Sequence, residues 1–308
     1  MQIYLPIADL PVNVFVILAM GLAVGFISGM FGIGGGFLMT PLLIFLGITP
    51  AVAVASVTSH IAASSMSGAS SYWRRRAIDL ALAFMLLAGG IVGTAFGVWL
   101  FTFLRNIGQL DITIGVSYVV LLGIVGALMV AESMRAIIRA RQGKPIELRR
   151  PGSHTWIHGL PFKLRFKRSR IYVSAIPVWG IGFLIGFIGA VMGIGGGFLL
   201  VPLLIYVLRV PTSTVIGTSM VLTLVTMASA TVMHAVTNHL VDALLALILM
   251  VGGVIGAQFG ARAGQKMSGE RLRLLLGLLV LAVGIRFALN LILPPETLYS
   301  IRLLDTNL

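Results

Sequence analysis

The sequence contains no cysteine, and charged residues make up only 10% of its 308 positions. The absence of cysteine excludes a disulfide framework and a thiolate metal site. A soluble domain carries about 25% charged residues, so this chain has too few to cover a surface that faces water. Its hydrophobic share of 58% is instead typical of a protein that is embedded in a bilayer.

Acidic residues are scarce as well, because the chain has 9 aspartates and glutamates against 22 lysines and arginines. A net charge of +13 would suit nucleic-acid binding in a soluble protein. In a membrane protein the same excess is expected, because lysine and arginine are enriched in cytoplasmic loops. We therefore predict no nucleic-acid partner. We expect the long basic segment 135–170 to be cytoplasmic and to contact anionic membrane lipid.

Long apolar runs alternate with short polar segments along the whole chain. Two of the runs, 36–47 and 197–208, would reach only about 18 Å as helices, which is half a bilayer. The others approach or exceed the roughly 20 residues that span a bilayer. They lie at 11–31, 51–71, 77–104, 110–134, 172–190, 212–234, 241–267 and 270–292.

Each short run follows a cluster of glycines. Four glycines fall within five positions at 32–36 and again at 193–197, and eleven of thirteen positions are identical between 32–44 and 193–205. Glycine costs a helix about 1 kcal/mol relative to alanine, so each cluster predicts a break between a full helix and a half-helix. Because the break occurs twice, the chain consists of two related halves.

Basic residues predict the orientation of the spans. If residues 135–170 lie in the cytoplasm, alternating spans place every lysine and arginine there except Arg105, Arg286 and Arg302. The two halves then cross the membrane with opposite orientations. Secondary transporters with such inverted repeats bind their substrate near the midplane, where broken helices meet.

The sequence thus predicts an all-α polytopic membrane protein with two inverted repeats of about five segments each. Residues 1–139 form the first transmembrane repeat, and 140–170 form a basic cytoplasmic linker. Residues 171–308 form the second repeat with a short tail. Gly-broken re-entrant helices from both repeats are expected to meet at the midplane.

Three motifs occur in both halves. The motif G-x-G-G-G-F-x-x-x-P-L begins at Gly32 and at Gly193, and a Thr-Ser pair follows it in the next segment. A block of small residues, G-G-x-x-G-x-x-x-G, then occupies 89–97 and 252–260. This block suits close helix packing in lipid. The set of motifs, which covers most of the chain, resembles the TauE/SafE family of sulfite exporters.

The resemblance implies a secondary transporter of the cell inner membrane. The implied partner is a small sulfur-containing anion, such as sulfite or an organosulfonate. The resemblance leaves the particular anion and the direction open, and we expect export. The chain departs from a minimal member of the family in its long basic central segment.

The glycine clusters are the first candidate site. A half-helix that starts near Gly36 or Gly197 presents backbone N–H groups and the positive end of the helix dipole. Two such ends together could bind an anion without a formal charge. The candidate residues are Gly34, Gly35, Gly36, Gly195, Gly196 and Gly197. Alanine at Gly35 or Gly196 is then expected to block the anion and leave the fold largely intact. The alternative is that the glycines only permit close helix crossing.

Hydroxyl groups beside the breaks are further candidate ligands. Hydroxyls can donate to sulfonate oxygens, but in membrane helices they often bond back to helix carbonyls instead. The duplicated hydroxyl residues are Thr58, Ser59, Thr218 and Ser219.

Four other polar positions complete the candidate set. His60 could bind substrate or carry a proton, whereas His234 lies near a predicted span end and could simply be solvated. Arg286 falls within the last apolar run as a candidate anion contact or gate, with snorkelling as the alternative. Gln258 has Ala95 as its counterpart and would make one half of the site more polar. Asp79 and Asp242 occupy equivalent positions at helix starts, where we expect capping.

Other functional classes lack their motifs. The glycine clusters lack the Lys-Ser/Thr ending of a P-loop, and neither H-E-x-x-H nor G-x-S-x-G occurs. We expect no enzyme activity, no cofactor and no metal. A divalent metal-ion permease stays an alternative, although it would need clustered ligands and only His60 and His234 are available. A passive anion channel is the second alternative, and a homodimer is included among the expectations.

Overall fold

A computed structural model describes residues 2–31, 35–74, 78–141, 163–166, 171–206, 212–264 and 269–292. Its first half contains β1 (Gln2–Leu5), β2 (Leu10–Asn13), α1 (Val14–Phe31), α2 (Gly36–Phe45), α3 (Pro50–Arg74), α4 (Leu80–Asn106) and α5 (Leu110–Arg141). The second half contains β3 (Lys163–Phe166), β4 (Ile171–Ser174), α6 (Ala175–Met192), α7 (Gly197–Tyr206), α8 (Thr212–Met233), a π-helical turn (His234–Asn238), α9 (Ala243–Gly264) and α10 (Gly269–Ile292).

Six of the described helices are long and apolar enough to cross a membrane, which confirms a helical multi-pass membrane protein. The helix α3 has 25 residues but is rich in serine, so it falls outside this set. The apolar part of α10 is shorter, from Leu274 to Asn290, and α2 is a short apolar helix. The six helices are Val14–Phe31, Leu80–Asn106, Leu110–Arg135, Ala175–Met192, Val215–Asn238 and Ala243–Ala263.

The described structure is mostly helical, as predicted, but a short antiparallel hairpin that the sequence did not predict precedes the first helix of each half. Gln2 pairs with Asn13 in the first hairpin, and Lys163 pairs with Ser174 in the second. The helix expected from residue 11 accordingly begins at Val14. Strands of four residues are too short for the alternating pattern that marks a strand in a sequence.

Close backbone contacts join helices from different halves. An added Cβ at Gly93 of α4 would lie 2.0 Å from the Phe183 carbonyl oxygen of α6. At Gly256 of α9 it would lie 2.1 Å from the Leu22 carbonyl oxygen of α1. The small-residue blocks therefore allow α4 to pack on α6 and α9 on α1, which confirms the predicted close packing.

Corresponding helices of the two halves run antiparallel where they meet. Thr58 of α3 hydrogen-bonds to Thr231 of α8 at 2.9 Å, whereas Gly68 lies against Met220 at the other end of the contact. In the α5–α10 pair the contacts also run in opposite register. The Tyr118 ring stacks on Phe287 with centroids 5.4 Å apart, and Gly126 lies against Leu281.

Asp79 and Asp242 cap their helices as predicted. Asp79 Oδ1 accepts a hydrogen bond from the Leu82 amide at 3.3 Å, and Asp242 Oδ1 accepts from the Leu244 and Leu245 amides at 3.1 Å. The second oxygen of Asp242 accepts from the Ile7 amide at 3.0 Å. This carboxylate therefore also fastens the first hairpin to the start of α9.

The contact between Gly93 and the α6 backbone makes alanine at this position destabilising. We expect Gly93→Ala to lower the free energy of unfolding by about 1–3 kcal/mol, because either backbone must move to admit the methyl group. Thermal unfolding of the purified protein in detergent measures the effect. The control is Gly180→Ala on α6, where a Cβ meets nothing within 4 Å. The free energy of unfolding of that variant should rise by up to about 1 kcal/mol, because alanine has the higher helix propensity. Equal stability of the two variants would contradict the packing.

Candidate functional site

The two glycine breaks lie against each other inside the protein. An added Cβ at Gly36 would be 2.5 Å from the Gly193 carbonyl oxygen. Thr40 Oγ1 donates to the same oxygen at 3.3 Å. The rings of Phe37 and Phe198 stack with centroids 4.7 Å apart, and both side chains are buried. The short helices α2 and α7 therefore begin side by side in the core.

Left-handed backbone conformations turn the chain at both breaks. Gly35 has φ 64°, and Gly193, Gly195 and Gly196 have φ 66°, 77° and 58°. The Met39 amide donates to the Gly35 carbonyl, and the Leu200 amide donates to the Gly196 carbonyl. Helical hydrogen bonding is therefore established within one turn of each break. Gly34 lies outside the described residues, and anion binding by the glycine amides stays a prediction.

The expectation that alanine at Gly35 or Gly196 leaves the fold intact is wrong. Both glycines have positive φ, which alanine rarely adopts. An added Cβ would lie 3.0 Å from Ser28 Cβ at Gly35, and 2.3 Å from Ile185 Cγ2 at Gly196. Alanine improves helix propensity only at a helical residue, and neither Gly35 nor Gly196 has a helical conformation.

The duplicated hydroxyls are buried and bonded within the protein. Thr58 Oγ1 donates to the Ala55 carbonyl at 2.7 Å, and Ser59 Oγ donates to the Ser56 carbonyl at 2.6 Å. In the second half, Ser219 Oγ donates to the Ile216 carbonyl at 2.8 Å. Thr218 Oγ1 accepts from the Asp79 amide at 3.3 Å. The bonds of Thr58, Ser59 and Ser219 follow the alternative in which helix hydroxyls bond back to helix carbonyls, whereas Thr218 bridges to the start of α4.

His60 is buried at the junction of α3 with α9. Its Nδ1–H donates to the Leu249 carbonyl at 2.7 Å, and its Nε2 has no hydrogen-bond partner among the described residues. The ring fills the groove beside Gly253, where an added Cβ would lie 2.1 Å from His60 Cε1. A buried ring nitrogen without a hydrogen-bond partner is unusual in proteins.

His234 is buried, so the suggestion that it is simply solvated is wrong. Its Nε2–H donates to the Ala190 carbonyl at 3.1 Å, and Nδ1 accepts from Asn238 Nδ2 at 3.2 Å. The side-chain oxygen of Asn238 accepts a hydrogen bond from Thr102 Oγ1 at 3.0 Å. Its backbone oxygen accepts one from Arg105 Nη1, also at 3.0 Å. These bonds join α4, α6 and the π-helical turn at one end of the bundle.

The last two predicted residues lie apart from each other. Arg286 is exposed on α10, with its guanidinium 5.9 Å from the centre of the Phe45 ring. It is not among the residues that line the pocket described next. Gln258 is exposed on α9 and does line that pocket.

A polar pocket of about 660 Å³ lies between the ends of α1, α3 and α9 and the start of α8. We call it the serine pocket, after the residues that line most of its polar wall. Arg74 and Arg262 line it where α3 and α9 end, and both are exposed. Five serines line it, namely Ser28, Ser64, Ser65, Ser67 and Ser70. Of these, Ser28 on α1 and Ser64 and Ser65 near the middle of α3 are buried.

The lining of the serine pocket suits an anion. Two guanidinium groups supply positive charge, and serine hydroxyls and the Gln258 amide supply hydrogen-bond donors. Among the described residues of the lining, none is acidic. Within the described ranges, no group of three or more His, Cys, Asp or Glu residues is placed to hold a metal ion.

Sequence reasoning missed the serine pocket because it relied on duplicated positions. By the repeat alignment, Ser28, Ser67 and Arg74 correspond to Gly189, Met227 and His234. None of these serines has a serine counterpart. A difference between the halves could have indicated the pocket. Serine recurs along α3 after residue 63 but not at the equivalent positions of α8.

The corresponding space in the second half is filled. Met227 is fully buried, and its Cε lies 2.6 Å from where a Cβ on Gly189 would be. His234 and its hydrogen-bonded neighbours occupy the position equivalent to the mouth. The described protein is therefore open at one end of the bundle and closed at the corresponding place at the other end.

A multi-pass helical bundle with a polar, positively charged pocket is typical of a membrane transport protein. The sequence matches the family described as sulfite exporter TauE/SafE over residues 17–287. The chain belongs to this family, which confirms the resemblance seen in the motifs.

Proteins similar to this chain are named as probable membrane transporter proteins. YunE of Bacillus subtilis is 25% identical over 279 residues, which cover 88% of this chain and 96% of YunE. YjnA of the same organism is 26% identical, with 88% and 98% covered. A Xylella fastidiosa protein is 29% identical, with 89% and 94% covered. No solved structure matches the chain at a significant level.

The geometry of the second break makes Gly196→Ala destabilising. We expect a loss of about 1–2 kcal/mol from the left-handed conformation and about 1–3 kcal/mol from the collision with Ile185. The control is Gly108→Ala, where φ is 71° but an added Cβ meets nothing within 4 Å. Gly108→Ala should lose only the stability that the left-handed conformation costs, without the loss from a collision. Melting temperatures in detergent distinguish the two, and an unchanged value for Gly196→Ala would contradict the described break.

Proposed function

We propose that the chain is a secondary transporter that exports sulfite or a small organosulfonate across the inner membrane. The observation that carries the proposal is the serine pocket, with Arg74 and Arg262 at its mouth and hydroxyl groups on its walls. Membership of the sulfite exporter TauE/SafE family supports the same class of substrate. The mouth lies at helix ends whose arginines the sequence assigns to the cytoplasm. Substrate would therefore enter from the cytoplasm.

Charge favours an anion over the metal-ion alternative. A divalent cation at the mouth would be repelled by two guanidinium groups, and the part of the lining that the structure describes offers it no carboxylate. Serine hydroxyls and arginine are donors that match the oxygens of a sulfur oxyanion. A volume of about 660 Å³ admits a small anion together with part of its hydration shell.

The direction of transport follows from the membrane potential. An inside-negative potential of 100 mV favours anion export by about 2.3 kcal/mol per charge. Export of an anion therefore needs no coupling ion. A carrier is favoured over a channel, because the serine pocket is open while its counterpart in the second half is filled by Met227 and closed by His234. Alternating access requires such a difference between the two ends.

The proposed mechanism uses two inverted repeats, residues 1–139 and 171–308, joined by the basic linker 140–170. The antiparallel register of α3 with α8 and of α5 with α10 supports opposite orientations of the two halves. The contact between the breaks, where Gly36 meets Gly193, supports re-entrant helices that meet at the midplane. Substrate contacts at the duplicated glycines and hydroxyls, at His60 and at Arg286 stay predictions, as do a homodimer and lipid contacts of the linker.

A substrate screen tests the proposed function. Proteoliposomes that contain the purified protein should take up sulfite or a small organosulfonate in a saturable manner and should not take up Ni²⁺ or Co²⁺. Uptake is measured against protein-free liposomes under an imposed potential. Reversing the potential should reverse the favoured direction, because the anion carries charge. Uptake of a divalent cation without any sulfur anion would replace the proposal by the metal permease. Flux that does not saturate would favour the channel.

The orientation of the repeats is tested with reporter fusions. A reporter inserted between residues 145 and 165 should be active only in the cytoplasm, whereas one fused after residue 308 should be active only outside. As a control, each position also receives the reporter that is active only on the opposite side of the membrane. The reporter that is active only outside must be inactive at the first position, and the reporter that is active only in the cytoplasm must be inactive at the second. Activity of both positions on the same side would rule out the inverted arrangement.

A further inference from the structure

The serine pocket contains a buried hydroxyl group that the protein leaves without a partner. Ser65 is 3% exposed, and its Oγ has no hydrogen-bond partner among the described residues. Most buried hydroxyls in proteins are paired, because an unpaired one has lost its water without compensation. An unpaired hydroxyl that lines a pocket therefore points to a ligand.

Burial places Ser65 at the closed end of the serine pocket. Ser64 and Ser65 are buried near the middle of α3, whereas Ser70 and Arg74 are exposed further along it. Ser28 lies on the neighbouring helix α1, is also buried, and lines the same space. The pocket thus extends from exposed arginines at its mouth to buried hydroxyl groups at its closed end.

The hydroxyls of Ser64 and Ser65 at the closed end differ in whether their proton already takes part in a hydrogen bond. Ser64 Oγ donates to the Ile61 carbonyl at 3.1 Å, so its proton is already used. The proton of Ser65 is not used within the described part of the protein. Ser65 can therefore donate its proton to a ligand.

We propose that the closed end of the serine pocket is a binding subsite for an oxyanion in which several oxygens surround one sulfur. Ser65 Oγ donates to one oxygen, Ser28 faces the anion from α1, and Arg74 and Arg262 attract it from the mouth. This subsite rests on the proposed function, since it gives the cytoplasmic binding position of the transported anion. Arg286 is not among the described residues that line the pocket.

The unpaired state of Ser65 makes a clean test possible. Ser65→Ala removes no hydrogen bond from the described protein, so a purely structural role predicts unchanged or higher thermal stability. The subsite predicts the same stability but weaker binding, by about tenfold or more, because the lost hydrogen bond is to a charged ligand. The probes are sulfite and methanesulfonate. Their affinity for the full-length protein in detergent is measured by titration calorimetry.

The matched control is Ser133→Ala on α5. Ser133 Oγ is also buried and unpaired among the described residues, but Ser133 does not line the pocket. Its replacement should leave the affinity for both anions unchanged. A second comparison sets Arg262→Gln against Arg135→Gln, at an exposed arginine of α5 that is not among the described residues of the lining. The subsite predicts weaker, less salt-dependent binding only for Arg262→Gln, because of these two arginines only Arg262 lines the pocket.

A labelling experiment tests the position of the bound anion without a measurement of affinity. The chain has no cysteine, so Ser65→Cys introduces a single thiol. Methanesulfonate should slow the reaction of this thiol with N-ethylmaleimide. It should slow the reaction of a Ser70→Cys thiol at the mouth by less. Equal protection of both thiols, or of neither, would overturn a subsite at the closed end.

The outcomes separate the subsite from the proposed function. If the parent transports a sulfur anion and Ser65→Ala binds it as tightly as the parent, the subsite is wrong and the proposed function stands. If the parent transports no sulfur anion, the proposed function is wrong and the subsite is overturned with it.

Discussion

Backbone-to-backbone contact through glycine is the constraint on which this fold depends. Lipid supplies no hydrophobic force that would press apolar helices together, so they associate through close van der Waals packing. Gly25 and Gly29 of α1, like Gly93 of α4, have carbonyl groups of the partner helix where a side chain would begin. These contacts pair α1 with α9 and α4 with α6, so each pair joins the two halves of the chain. The halves are therefore interlocked and do not form independent bundles.

The interlocked pairs determine where polar chemistry can be located. Where α1 and α9 cross closely, at Gly25 and Gly253, the space between them admits no substrate. Beyond that crossing the ends of α1, α3 and α9 enclose the serine pocket, and the two arginines stand at its mouth. The equivalent place between α4, α6 and α8 is filled by Met227 and by the hydrogen bonds of His234. The same fold thus presents a polar cavity at one end and a closed, bonded cluster at the other.

Much of the fold could be read from the sequence because its signals are local or repeated. Long apolar runs indicate membrane helices whatever they pack against, and two copies of one glycine motif indicate two related halves. The caps at Asp79 and Asp242 were likewise predictable, since a carboxylate at a helix start acts on the next turn. The hairpins were missed because each strand has only four residues, and their stability comes from pairing and from contacts such as Asp242 with Ile7.

The sequence by itself determined the membrane class, the duplicated halves and the family, because composition and motif spacing do not depend on which helices touch. Only the tertiary structure decided what the polar residues do. It buried Thr58 and Ser59 in hydrogen bonds to their own helix, and it brought serines of α1 and α3 together with arginines of α3 and α9. It also gave Gly35 and Gly196 left-handed conformations, in which alanine is strained. The physical reason is that a pocket and a left-handed turn are products of packing between helices far apart in the chain, which no local pattern records.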